Sequence, residues 1–128
     1  MRALTPFTIA PPFGAYSHGI EAIFARVVLT SGQLGMARDG SIPAGIEAQT
    51  EICLANIGAI LAEAGLGRAN ILRLNAYVTD RAFITGYMAA RDRWLASCDI
   101  KPASTLLIVS GFTKPEFIVE IEAIAGIT

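Results

Sequence analysis

The stretch NILRLNAYVTD, Asn70 to Asp80, sets apolar Ile71, Leu74, Ala76 and Val78 against polar Arg73, Asn75 and Thr79, the alternation of a half-buried β-strand. On its N-terminal side, between Gly45 and Ala64, the apolar residues Ile46, Cys53, Ile57, Ile60, Leu61 and Ala64 recur at helical spacing. Glu47, Gln49, Glu51 and Glu63 lie off that stripe, and Gly65 ends the helix as a C-terminal cap. On its C-terminal side Asp80 caps a second helix predicted to reach Ser97, with Phe83, Tyr87, Met88, Trp94 and Leu95 turned inward. A strand held between two amphipathic helices predicts a sheet with both helices on one face.

Further out, ALTPFTIA (Ala3 to Ala10) is a short strand-like start, and PPFGAYSHG (Pro11 to Gly19) is a loop of prolines and glycines. ARVVLTSGQ, Ala25 to Gln33, is β-branched and apolar and predicts a strand stopping at a turn, followed by the loop ARDGSIPAG. Ser104–Val109 and Phe117–Ala125 predict two closing strands separated by SGFTKP. The order strand, strand, helix, strand, helix, strand, strand describes one α+β domain over residues 1–128 with a mixed sheet.

At 128 residues the chain can bury a core without staples. Charged residues make up only 16% of it, against roughly a quarter in an ordinary globular protein, so part of its surface is expected to be covered by further copies of itself. Ten basic residues stand against eleven acidic ones with no basic run, which gives no support to binding a phosphate backbone. Cys53, Cys98 and the single His18 are not at ligand spacing, so no metal site is expected and both thiols read as reduced. Prolines interrupt the N-terminus and no run is long enough to span a membrane, so the protein is expected to be cytoplasmic.

Few side chains offer chemistry. Glu120 and Glu122 leave the same face of the last strand, where a half-buried carboxylate could hold or deliver a proton, or simply be solvated. Tyr16, Ser17 and His18 could form a hydroxyl and imidazole cluster, or merely decorate a surface loop. TSGQLG lacks the lysine and third glycine of a phosphate cradle. Arg91 and Arg93 read as solvated, and Tyr87 and Trp94 as core.

The pieces GAYSHGI, VVLTSGQLG, EAQTEICLANIGAILAEAGL, ILRLNAYVTD, KPAST and VEIEAIA, in this order and spacing, resemble the reactive-intermediate deaminase family, RidA or YjgF. The resemblance implies a chorismate-mutase-like α+β fold, a homotrimer, and clefts between subunits where small enamines or imines are hydrolysed to 2-keto acids and ammonia without any cofactor. It implies that Tyr16 and the strand end at Ser31 and Gly32 line the pocket, and that Glu120 positions or activates water. In KPAST, Pro102, Ala103 and Thr105 match the family pattern, but Ser104 stands where the family has a carboxylate-binding arginine. One neutral hydroxyl replaces a charged, forked donor, a loss of about 1.5 to 3 kcal/mol toward a carboxylate.

The chain therefore resembles an arginine-lacking branch, not expected to act efficiently on 2-aminoacrylate. The expected function is hydrolysis of a small imine, enamine or related metabolite that is neutral at the Ser104 end, with Ser104 and Thr105 holding a polar group. The alternatives are a non-catalytic trimer that binds a small metabolite, and, ranked last, the ribonuclease or translation-inhibitor activity attached to the family.

Overall fold

The computed structural model describes residues 1–23 and 25–127. Seven strands and two helices follow in the order β1 (Arg2–Leu4), β2 (Gly19–Glu21), β3 (Arg26–Leu29), β4 (Gln33–Leu34), α1 (Ile46–Glu63), β5 (Ile71–Val78), α2 (Ile84–Trp94), β6 (Ala103–Ile108) and β7 (Val119–Ile127). β1 and β2 form a separate two-stranded antiparallel sheet. The main sheet runs β3-β7-β5-β6, with β4 continuing the β3 side of β7. Only the β5–β6 pair is parallel, joined by the α2 crossover, so the sheet is mixed as the element order predicts.

Alternation along the two central strands decides where the core lies. Leu74, Ala76 and Val78 of β5 and Val119, Ile121, Ala123 and Ala125 of β7 are buried against Cys53, Leu54, Ile57 and Leu61 of α1 and Tyr87 of α2. The other face carries Arg73, Asn75 and Tyr77 beside Glu120 and Glu122, and among the described residues no helix covers it. Val27, Leu29 and Leu107 share that open face by register and are about half exposed or more.

Three expectations need correction. The predicted strand over Ala25–Gln33 is broken, because the Thr30 hydroxyl accepts the Ala123 N–H (2.9 Å) and the ladder resumes only at Gln33. β2 was not anticipated; its three residues pair with β1 and carry no long alternating run. Gln49 does not lie off the buried stripe. It is 1% exposed, donating to the carbonyls of Pro43 (2.9 Å) and Glu116 (2.8 Å) and accepting the Ile118 N–H (3.1 Å). Its amide thus ties α1 to the start of β7, and Gly35 packs so closely that a Cβ there would lie 2.5 Å from the Gln49 Cβ.

Candidate functional site

A cavity of about 460 Å³ opens at the edge strand β6, between α2 and the loop that carries Tyr16. Its walls are largely apolar, with Phe13, Ile84, Met88 and Leu106 contributing, and its polar groups come from Tyr16, Arg91 and Ser104. The loop is fixed by its neighbour Ser17, whose backbone N–H donates to the Pro102 carbonyl (2.8 Å) and whose hydroxyl donates to the Lys101 carbonyl. Ser17 also bridges to Ala103 in parallel, extending the sheet by one residue and placing Tyr16 over the cavity. Lys101 is anchored in turn, its Nζ donating to the Leu95 (2.7 Å) and Cys98 (2.5 Å) carbonyls at the end of α2. The KPAST segment is thus the joint at which loop, helix and edge strand meet.

Successive residues of β6 face opposite ways. Ser104 pairs with buried Leu74 and so points to the helix side, into the cavity. Thr105 pairs with Asn75 on the open face, where its hydroxyl accepts from Arg73 Nη2 while Arg73 Nε donates to Asn75 Oδ1 (2.9 Å). The two hydroxyls of KPAST therefore serve different sides of the sheet. Thr105 belongs with Tyr77, which donates to Glu122 Oε1 (2.8 Å); that carboxylate acceptor holds the phenol above its ordinary pKa.

Ser31 and Gly32 occupy the gap between β3 and β4, both exposed. A Cβ on Gly32 would lie 2.4 Å from Glu120 Oε2, so the glycine's missing side chain is the space the carboxylate uses. Ser31, Gly32 and Glu120 form one group on the open side of the sheet. Tyr16 and Ser104 form another on the helix side, and the sheet separates the two within one protomer. His18, exposed, has Nε2 2.7 Å from the Ala10 carbonyl and does not line the cavity.

The expectation that Arg91 is solvated is overturned: it is 3% exposed, whereas Arg93 stands in the open, paired with Glu47 (2.9 Å) and Glu51 (3.2 Å). Arg91 follows Tyr87 by four residues and precedes Leu95 by four, so it shares their buried row on the helix. That spacing is the signal by which the sequence could have assigned it inward. Tyr87 is core, as expected, yet its buried hydroxyl lacks a hydrogen-bond partner. Burial pushes its pKa up, with the Arg91 charge opposing, so the phenol is held in its protonated, donating form. Among the described residues no cluster of three or more His, Cys, Asp or Glu could hold a metal ion, and no helix is long and apolar enough to cross a membrane.

Residues 7–127 match the model of the family described as Endoribonuclease L-PSP. A RutC family protein of Aquifex aeolicus is 30% identical over 104 residues, covering 80% of this chain and 82% of its own. The crystal structure of the Rid family protein YyfB of Yersinia pestis superposes with a TM-score of 0.88 at 30% identity over 98% of both chains. Escherichia coli TdcF with bound serine superposes at 0.76 with 25% identity over 100% of both. TdcF carries a provisional designation as a reactive intermediate deaminase.

Proposed function

The chain belongs to the RidA/YjgF family, the Endoribonuclease L-PSP group matched over residues 7–127, and from that premise we propose that it is a homotrimeric hydrolase of a small imine or enamine. The reading rests chiefly on one observation: the two groups of candidate residues stand on opposite sides of the sheet. A site using Tyr16 and Ser104 together with Glu120 is complete only where the cavity of one copy meets the Ser31, Gly32 and Glu120 edge of another. The half-exposed apolar residues of the open face and the scarcity of charge support such an association.

In the assembled cleft Glu120 takes a proton from water as the oxygen adds to the C=N carbon. It returns that proton to nitrogen to give the carbinolamine, then carries the hydroxyl proton to the amine, so that the C–N bond breaks, ammonia leaves and the carbonyl forms. Tyr16 closes the cavity over the substrate, and Ser104 supplies a neutral donor at its far end. TdcF, crystallised with serine, supports a small metabolite as ligand. The lost arginine at position 104 favours a second reading, in which the trimer binds such a metabolite without turning it over.

A mixing experiment tests the shared site. Glu120→Gln and Tyr16→Ala are each expected to abolish acceleration of ammonia release from a panel of imines. Random mixed trimers refolded from equal amounts of both should recover about a quarter of the wild-type rate, since each site draws its two halves from different copies. Wild-type protein that does not exceed the spontaneous rate on any imine would remove the enzymatic reading and leave the binding one.

A further inference from the structure

Arg91 carries a buried charge whose donors are barely used. One edge of its guanidinium meets a single oxygen: Nε donates to Asp92 Oδ1 at 2.9 Å, and Nη2 lies 2.9 Å from that same atom but off the axis of its N–H bonds. That oxygen also accepts the Ala15 N–H (3.3 Å), and its own side chain is 39% exposed, so Asp92 looks outward while the guanidinium looks in. Nη2 is buried and unpartnered, and no hydrogen bond of the described residues uses Nη1. A guanidinium has five donors, and a buried one left largely idle is an open acceptor site.

Its surroundings hold it in place. Cζ lies 5.5 Å from the Tyr87 ring centroid and 5.9 Å from that of Tyr16, both within cation–π range. A Cβ on Gly14 would stand 2.6 Å from Nη2 and 3.0 Å from Met88 Cε, so a glycine is needed where the loop crosses the guanidinium. The buried Tyr87 hydroxyl stands beside Arg91 and Ser104 without lining the cavity, and apart from Tyr16 the remaining wall is apolar.

We infer that Arg91 replaces, from helix α2, the guanidinium missing at position 104 of β6, so that the cavity takes the carboxylate of a small acid with a short aliphatic tail. The inference rests on reading this cavity as the ligand site, and it reverses the expectation of a ligand neutral at the Ser104 end. The carboxylate takes donors from Arg91 and Ser104, and the tail lies along Phe13, Met88 and Leu106. Asp92 remains the outer partner that keeps the guanidinium oriented.

The test compares 2-oxobutanoate with its neutral amide, each titrated against the intact protein. Wild type is expected to bind the acid about ten- to a hundredfold more tightly than the amide, the range of one charge-assisted contact. Arg91→Gln should bring the two to parity by weakening the acid alone, and the double variant Arg91→Gln with Ser104→Arg should restore the preference. If Arg91→Gln fails to fold, as judged by circular dichroism, Gly14→Ala displaces the guanidinium without removing it and should lower the same ratio. Equal binding of acid and amide by wild type, or a preference unchanged in the folded variants, overturns the role of Arg91 while the cavity remains the ligand site. Binding of neither compound overturns the cavity reading and this inference with it.

Discussion

Gly32 and Gly35 flank the two-residue strand β4, and each leaves room for one neighbour: the Glu120 carboxylate and the Gln49 side chain. They separate the proposed chemistry from stability at the scale of single atoms. Gly32→Ala is expected to displace Glu120 and reduce turnover with little change in the unfolding midpoint, because both groups are at the surface of the sheet. Gly35→Ala, whose Cβ would lie 2.9 Å from the Gln49 Cα, meets backbone that cannot swing aside. It should cost about 1–3 kcal/mol in urea denaturation, the range for overpacking. Gln49→Leu should cost about 3 kcal/mol or more by the same measurement, since it orphans two carbonyls and the Ile118 N–H. Of the candidate side chains, Tyr16, Ser104 and Glu120 are those to which the family resemblance points. Arg91 was masked by its neighbours, because Arg-Asp-Arg reads as a solvated charged run until the row through Tyr87 and Leu95 is followed.

At the scale of elements, both helices and the long strands β5 and β7 were legible, because one face of each is apolar at the right period. β2 and the break between β3 and β4 were not, since two- and three-residue strands depend on their partners rather than on their own pattern. The α1–β7 contact also carries a pH dependence. Cys53, fully buried beneath Val119, has its thiol pushed up to about 12 by desolvation. A raised value means the folded state keeps the proton longer than the unfolded chain does, so this contribution is intact below the ordinary thiol range. It is lost as pH rises from about 9 toward 12. Stability measured across that window should fall more steeply for wild type than for Cys53→Ala, and thiol-labelling of Cys53 at neutral pH should proceed at the rate of opening. Lys101→Met removes the ammonium from the Leu95 and Cys98 carbonyls and should cost about 1–2 kcal/mol, read as a lower melting temperature.

For the whole molecule, the proposed trimer is tested at the uncovered face of the sheet. Leu29 is 68% exposed and Leu107 51%, beside the polar group of Arg73, Asn75, Thr105, Tyr77 and Glu122. In a homotrimer, Leu29→Lys with Val27→Glu is expected to shift sedimentation from three copies toward one and to abolish turnover, although neither residue lines the cavity. A monomeric wild type by the same measurement would contradict the assembly.

The contact between Ser17 and Lys101 joins residues 84 positions apart, across both helices and the central strand. Closing so long a loop is entropically costly until the elements between its ends have compacted. The cavity is therefore expected to close late in folding, so that amide protection of Ser17 should appear after that of α1 and β5 in pulse-labelled hydrogen exchange.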